Sequence, residues 1–148
     1  MFSPKPQFAA GIYQIKDKCD HLAPDGSEMR VLTTKKDASG GDLAHCTLPP
    51  GKTSIPVKHR SVHELWYFTS GTGELWLNDG EKETTHQVKK GSAISIPAGT
   101  AFQFRNLSQN ESLEIVMTTM PPWPGPDEAI KVEGKWKPSV SPNIQSKL

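Results

Sequence analysis

One stretch of the chain, residues 51–73, constrains the fold more than any other: GKTSIPVKHRSVHELWYFTSGTG. It places His59 and the pair His63-Glu64 just before an aromatic, apolar segment at residues 65–68. A Ser-Gly-Thr-Gly turn at residues 70–73 ends this segment, and a second apolar run follows. Aromatic-rich runs joined by a glycine turn predict neighbouring β-strands. Titratable side chains at the end of such a strand indicate a ligand site carried by a β-scaffold.

The rest of the chain repeats this pattern of short apolar runs that end at Gly, Pro, Asn or Asp. Only residues 127–132 have the pattern of a helical turn, and no long helix is predicted. Short strands at such regular spacing predict an all-β fold, a sandwich or a barrel. The predicted strands are residues 29–34, 43–48, 53–59, 64–69, 73–78, 86–89, 92–96, 101–106 and 113–120.

The composition narrows the class of function. The 17 Lys and Arg against 16 Asp and Glu give a net charge of +1, without the basic surface that nucleic-acid binding requires. No apolar run approaches the roughly 20 residues of a membrane helix, and the proline-containing N-terminus is unlike a signal peptide. Cys19 and Cys46 are far apart in the sequence, which favours reduced thiols in a cytoplasmic protein. We therefore expect neither nucleic-acid nor membrane partners.

A chain of 148 residues is the size of one domain. We predict an N-terminal extension at residues 1–28, the barrel at 29–120 and a tail at 121–148 that is rich in Pro and Trp. Four prolines between residues 121 and 126 make the start of the tail extended and stiff. Trp123 and Trp136 carry large apolar surfaces. The tail is therefore expected to pack on the barrel or on a partner subunit.

Two glycine-framed motifs resemble those of the cupin superfamily. The first cupin motif is a Gly, five residues, His-x-His, three or four residues, Glu, six residues and Gly. Residues 57–59 (Val-Lys-His) take the His-x-His position between Gly51 and Gly71, with Glu64 at the spacing of the motif's acid. The resemblance implies a single-domain cupin-type jelly-roll β-barrel, and it leads us to expect a homodimer.

The second motif of the resemblance is a Gly, five residues, Pro-x-Gly, two residues, His, three residues and Asn. Gly91, the segment Pro97-Ala98-Gly99 and Asn106 keep this spacing, but Phe102 stands where cupins have His. Both frameworks match without a gap, and the resemblance covers roughly residues 43–120.

The resemblance also implies a divalent metal, and here the sequence departs from the family. Cupins hold the metal with both His of the first motif, its Glu and the His of the second motif. Val57 and Phe102 occupy two of these positions, so only His59 and Glu64 carry over. Two ligands bind a divalent ion weakly. If a metal is bound, the candidates for a third ligand are His45, and His63 if a β-bulge turns it inward. The cofactor is thus none, or one weakly held divalent metal.

Alternation along the strands suggests what surrounds His59 and Glu64. If Glu64 faces the interior, Trp66 and Phe68 do so as well. We predict a small-molecule pocket with aromatic walls, a common form of ligand site. For Phe104, and for Phe68, filling of the barrel is an alternative role. The predicted pocket residues are Val57, Trp66, Trp76, Phe102 and Phe104.

His59 and Glu64 form an acid–base pair that works without a metal. A nearby carboxylate is expected to raise the pKa of the imidazole, and an apolar wall to raise that of the carboxyl group. Such a pair suits isomerisation, dehydration or cyclisation of a small organic molecule, aromatic molecules included. Two alternatives stay open: a metal-dependent dioxygenase or isomerase that uses His59, Glu64 and a recruited ligand, and a non-catalytic binding or sensor module.

Overall fold

The computed structural model describes residues 10–32 and 40–140. This part of the chain is built from antiparallel strands and one short 3-10 helix. The strands are β1 (His21–Leu22), β2 (Glu28–Val31), β3 (Asp42–Leu48), β4 (Val57–His59), β5 (His63–Ser70), β6 (Thr72–Asn78), β7 (Glu83–Lys89), β8 (Ala93–Ile96), β9 (Ala101–Asn106), β10 (Leu113–Met120) and β11 (Ala129–Lys131), and the 3-10 helix is Pro126–Glu128.

The strands form two antiparallel sheets that face each other. The first sheet has the order β1-β2-β3-β10-β5-β8, and the second has the order β11-β4-β9-β6-β7. Strands distant in sequence are neighbours in both sheets, as the long connections of a jelly roll require. The predicted all-β, single-domain jelly-roll fold is confirmed. Within the described ranges, no helix is long and apolar enough to cross a bilayer.

Glycine turns set the strand ends, most strictly at Gly71 between β5 and β6. Its φ of 89° lies in the left-handed region, which glycine adopts without strain. A Cβ atom there would lie 2.6 Å from the carbonyl oxygen of Ser112, so a side chain would clash with backbone. The turn that closes the first cupin-like motif therefore requires glycine for two independent reasons.

Two predicted elements differ from the structure. The strand predicted at residues 53–59 is hydrogen-bonded as a strand only over Val57–His59, because Pro56 has no N–H to donate to a ladder. The helical turn predicted at residues 127–132 is instead the 3-10 turn Pro126–Glu128 followed by β11. Pairing of β11 with the otherwise free edge of β4 satisfies more backbone groups than a single helical turn would.

Side chains on the inner face of the first sheet form rows that cross β3, β10 and β5. The first row is Asp42, Thr119 and Glu64, and the second is Ala44, Met117 and Trp66. The third is Cys46, Ile115 and Phe68, and the last pairs Leu48 with Leu113. All of these side chains are buried. The inner face of the first sheet is therefore polar at one end and apolar at the other.

The tail packs on the second sheet through its backbone and through Trp136. The side chain of Gln103 donates to the carbonyl of Trp136 at 2.7 Å and accepts from its N–H at 2.9 Å. The guanidinium carbon of Arg105 lies 4.4 Å from the centre of the Trp136 ring. At the other end of the chain, part of the predicted N-terminal extension forms β1 and pairs with β2.

Candidate functional site

A cavity of about 220 Å³ lies between the sheets at the polar end of the sandwich. Its walls are mostly apolar, and a smaller number of polar side chains reach it. The apolar lining residues are Ala23, Pro24, Met29, Val31, Ala44, Val57, Trp66, Met117, Trp123 and Ala129. The polar ones are His21, Asp25, Asp42, His59, Glu64 and Thr119. Apolar walls with a few convergent polar groups are typical of small-molecule sites.

One side of the cavity is the polar row Asp42, Thr119 and Glu64. Thr119 on β10 is the direct cross-strand neighbour of Asp42 on β3 and of Glu64 on β5. Cross-strand neighbours have Cβ atoms about 5 Å apart, so three polar side chains stand side by side. Their residues are only 7%, 6% and 4% exposed, which is unusual for charged types.

His59 faces this row from the end of β4 on the opposite sheet. Its Nδ1 atom lies 3.3 Å from Oε1 of Glu64, although the geometry falls short of a hydrogen bond. The imidazole packs edge-on against Phe102, at 5.3 Å between ring centres, and against Trp123, at 5.1 Å. The aromatic neighbours fix the ring orientation. Because Nδ1 faces Glu64, Nε2 is the ring nitrogen available to a ligand.

Burial shifts the two pKa values in opposite directions. Desolvation lowers the pKa of His59 to about 4, against a smaller opposing effect of the Glu128 charge. Desolvation raises the pKa of Glu64 to about 8, and the charge of Asp25 adds to that shift. The expectation that a nearby carboxylate raises the pKa of the imidazole is wrong, because burial outweighs the partner. At neutral pH the two groups therefore form a neutral acid and a neutral base rather than an ion pair.

Asp25 is a cavity residue that the sequence did not single out. Its Oδ1 atom accepts hydrogen bonds from the backbone N–H of Ser27 at 2.9 Å and from the Ser27 hydroxyl at 2.6 Å. Burial nevertheless raises the pKa of Asp25 above its usual value. Pro24-Asp25-Gly26 is a turn signal in the sequence, and the turn itself brings the carboxyl group to the cavity. Asp42, Thr119 and Trp123 were missed as well, since none of them lies in a recognisable motif.

Glu128 anchors the segment between His59 and Glu64. Its carboxylate accepts hydrogen bonds from the backbone N–H groups of Ser61 at 2.6 Å and Val62 at 2.7 Å. Burial alone would raise the pKa of Glu128, but these hydrogen bonds outweigh it and the pKa lies below its usual value. The neighbouring Ala129 pairs with His59 between β11 and β4. The tail thus holds the segment that carries His59 and Glu64.

The structure places Val57, Trp66, His59 and Glu64 in the cavity wall. Phe102 and Phe104 lie behind the wall in the core, where Trp66 packs edge-on against both rings. They support the pocket, and they do not line it.

Trp76 lies on the other face of its strand, and its predicted place in the pocket is wrong. Its neighbour Leu75 points into the core opposite Phe104, so alternation turns Trp76 outward. The indole N–H of Trp76 donates to Glu83 at 3.0 Å.

Neither candidate third metal ligand reaches the cavity. β5 pairs regularly with β10 beside His63, and the irregularity in this pair lies at Glu114/Ile115, towards the far end. His63 is therefore exposed on the outer face, where its Nδ1 accepts the backbone N–H of Ala98 at 3.0 Å. His45 alternates outward from Ala44 and Cys46, and its Nε2 lies 4.0 Å from Oε1 of Glu114. The inward bulge predicted for His63 is absent.

The residues of this cavity do not fit the metal that the cupin resemblance implies. Val57 and Phe102, at two of the four ligand positions, are direct cross-strand neighbours and are each 1% exposed. Their contact fills the space with apolar side chains. In the described part of the chain, no group of three or more His, Cys, Asp or Glu side chains is arranged to hold a metal ion. We therefore assign no step to a metal.

Several buried polar atoms of the cavity residues lack a hydrogen-bond partner among the described residues. They are Oδ1 of Asp42, Nδ1 of His59 and Oγ1 of Thr119. The other carboxylate oxygen of Asp42 accepts the backbone N–H of Trp123 at 2.9 Å. A buried polar atom without a partner costs about 1–3 kcal/mol. Because these atoms cluster around one cavity, we infer that a ligand or water molecules in the cavity form the missing hydrogen bonds.

Comparison with known proteins agrees with this architecture. The uncharacterized protein MJ1618 of Methanocaldococcus jannaschii is 33% identical over 122 residues, which is 78% of this chain and 94% of that protein. Among solved structures, one of oxalate decarboxylase superposes with a TM-score of 0.64 at 16% identity, over 76% of this chain and 30% of that one. The capsular polysaccharide assembling protein CapF of Staphylococcus aureus gives 0.64 at 16% identity, over 88% and 37%.

A vicilin of Corylus avellana (hazelnut) superposes with a TM-score of 0.61 at 23% identity, over 80% of this chain and 34% of the vicilin. The chain thus spans about a third of the length of these three larger proteins. At these identities the likeness shows a shared fold. The sequence model described as "Cupin domain" matches residues 44–119, about half of the chain, and with the relative from M. jannaschii this shows that the protein belongs to the cupin family.

Proposed function

We propose that this protein binds a small organic molecule in the cavity and moves a proton on it, as an isomerase or lyase. The observation that carries the proposal is the contact of His59 with Glu64, 3.3 Å apart in the wall of an apolar cavity. Burial keeps the base unprotonated and the acid protonated at neutral pH. A general base and a general acid then stand ready in one site.

The proposed reaction uses both groups once. Nε2 of His59 removes a proton from a carbon atom of the substrate. Glu64 delivers its own proton to a second atom, either another carbon in an isomerisation or a departing hydroxyl group in a dehydration. The pair is left as imidazolium and carboxylate, which attract each other at this separation. The Nε2 proton then passes to water and Glu64 takes a proton from water, which returns the histidine to its neutral form with a free Nε2 and the glutamate to its protonated form.

The apolar walls support this chemistry because they strengthen the electrostatic attraction between the charged forms of His59 and Glu64. In a low-dielectric site, the imidazolium stabilises the new carboxylate far more strongly than in water. Phe102 and Trp123 hold the imidazole in one orientation, so that no reorganisation is needed during the transfer.

Hydrogen–deuterium exchange at carbon tests the proposal without knowledge of the product. A panel of small hydroxylated and carbonyl compounds is incubated with the protein in D₂O, and deuterium uptake is followed by proton NMR and mass spectrometry. We expect His59→Gln and Glu64→Gln to slow exchange by about 10²-fold or more, the usual contribution of a general acid or base. His63→Gln, which changes an exposed histidine one residue from Glu64, is the matched control and keeps the wild-type rate.

The result that contradicts the proposal is saturable binding in the cavity without exchange in any bound compound. That outcome supports the alternative of a non-catalytic binding or sensor module. Exchange that survives both His59→Gln and Glu64→Gln would equally remove these residues from the reaction.

A further inference from the structure

Three carboxyl groups reach the cavity from different strands and loops. Asp25, Asp42 and Glu64 line it, whereas no Lys or Arg is found among the described residues of its wall. The three arginines of the chain are engaged elsewhere. Arg30 bonds to the backbone carbonyl of Lys16, Arg60 to that of Asp127, and Arg105 to the carboxylate of Glu74. The described part of the chain thus brings three carboxyl groups and two histidines to one cavity, and no Lys or Arg.

We infer that the ligand of this cavity is a small organic cation, a protonated amine whose ammonium group bonds to Asp42. Oδ1 of Asp42 is buried and accepts no hydrogen bond from the described residues. An ammonium group supplies both the missing donor and the missing charge. The inference rests on the proposed function only in that the same cavity is used. It adds the chemical class of the substrate.

The aromatic walls favour the same class. Trp66 and Trp123 both line the cavity, and the face of an indole ring attracts a cation within about 6 Å. An anion would instead meet the carboxylate of Asp42, with no Lys or Arg in the described wall to balance the two negative charges, which is strongly unfavourable in a desolvated site. Burial raises the pKa of Asp25 and of Glu64, as expected for carboxyl groups that lack a neighbouring cation.

The remaining unpartnered cavity hydroxyl describes the other end of the ligand. Oγ1 of Thr119 can donate or accept a hydrogen bond. A hydroxyl or carbonyl group on the amine would satisfy it. A cavity of about 220 Å³ limits the body of the ligand to roughly one ring or a short chain.

Three compounds of nearly identical shape test the inference: benzylamine, benzyl alcohol and benzoate. Their affinities are measured by calorimetry or ligand-observed NMR at neutral pH and low salt, at concentrations up to millimolar. We expect benzylamine to bind about tenfold or more tighter than benzyl alcohol, and benzoate not to bind. A tenfold difference is what one hydrogen bond between charged groups supplies.

Asp42→Asn supplies the site-specific comparison. The asparagine keeps a carbonyl oxygen to accept the N–H of Trp123 but removes the charge. We expect it to weaken benzylamine binding about tenfold and to leave benzyl alcohol within about twofold. Asp79→Asn is the matched control: it makes the same change in net charge in an exposed turn and leaves all three affinities unchanged.

Four outcomes would overturn the inference: benzoate bound as tightly as benzylamine, benzyl alcohol bound as tightly as benzylamine, no effect of Asp42→Asn, or binding of none of the three. The affinities of the three compounds for the wild-type protein show whether the cavity prefers a cation, even if the Asp42→Asn variant fails to fold. Because these are equilibrium affinities, the result is independent of the exchange assay. If the protein binds amines selectively but exchanges no deuterium, the proposed reaction is refuted and the inferred ligand class stands. If exchange occurs only in anionic compounds, the inferred ligand class is refuted and the proposed reaction stands.

Discussion

The two ends of the sandwich interior differ in how completely their buried polar groups are hydrogen-bonded. At the closed end, Asn106 is 4% exposed and its amide donates to the carbonyls of Leu48 and Glu111 and accepts the N–H of Ser108. At the cavity end, Asp42 is 7% exposed and one of its carboxylate oxygens has no partner among the described residues. The same fold thus satisfies one polar residue completely and leaves another incomplete.

This difference in hydrogen bonding indicates that the closed end stabilises the fold and that the cavity end is available for ligand binding. The closed end consists of rows such as Leu48 and Leu113, which are fully buried and apolar. Moving two residues at a time along the same strands leads to the row of Asp42, Thr119 and Glu64. Buried polar groups destabilise a fold when unpartnered, so their retention at one end is best explained by a ligand.

The largest expected effect concerns how stability at the cavity end depends on pH. Glu64 has a folded pKa of about 8 against a reference value of 4.5, so between these values the folded state holds a proton that the unfolded chain has released. Stability contributed by this group therefore falls as pH rises through that range. His59, with a folded pKa of about 4 against 6.5, acts in the opposite direction between those two values. In the wild type the two slopes largely cancel below about pH 6.5, and the Glu64 slope remains above it.

Glu64→Gln should remove the Glu64 slope and leave that of His59. Relative to the wild type, the variant should gain about 4 kcal/mol in free energy of unfolding between about pH 5 and pH 8, at 1.36 kcal/mol per pH unit. Urea unfolding at a series of pH values measures the difference. Glu81→Gln, in an exposed turn, serves as the control and should run parallel to the wild type. A variant curve for Glu64→Gln that is also parallel would mean that Glu64 is ionised in the folded protein.

Truncation at the closed end should be costly at every pH. Leu113 is 0% exposed and packs in the last apolar row. Leu113→Ala is expected to lower the free energy of unfolding by about 3 kcal/mol, the transfer and cavity cost of a buried leucine. The same urea measurements apply, and the loss should not vary with pH.

Thr119→Val on the same strand sharpens the contrast. It keeps the shape of the side chain and deletes a buried hydroxyl that has no partner among the described residues. Since no formed hydrogen bond is lost, stability should stay unchanged or rise by about 1 kcal/mol. If Thr119→Val proved as harmful as Leu113→Ala, the polar row would be part of the structural core and the contrast between the ends would fail.

Much of the fold follows from local sequence signals. Apolar runs bounded by Gly, Pro and Asp predict most strands, and the predicted bounds of β9 and β10 agree with the structure. The pattern 64–66–68 predicts that Glu64, Trp66 and Phe68 share a face, and all three are buried. Alternation is a property of a single strand, so it gives the relative faces of side chains reliably.

The site was less predictable because it depends on contacts between distant segments. Alternation pairs Trp76 with Glu74 but cannot tell which face meets the other sheet. Asp25 reaches the cavity through a turn, and Trp123 reaches it through the tail, about 60 residues from His59 in sequence. The pKa of His59 is set by how completely the barrel and the Trp123 ring bury it. Neither the presence of a carboxylate neighbour nor the motif spacing contains that information.

The smallest expected effect is that of the histidine beside Glu64. His63 lies on the outer face, is exposed, and accepts one hydrogen bond from the backbone of Ala98. His63→Gln provides a side-chain oxygen that can accept in its place, so the free energy of unfolding should change by less than about 0.5 kcal/mol. Calorimetric melting of the variant against the wild type checks this, and benzylamine affinity should be unaltered. A larger loss of either would mean that the outer face of β5 is coupled to the cavity, because Glu64 on the inner face is the next residue on the same strand.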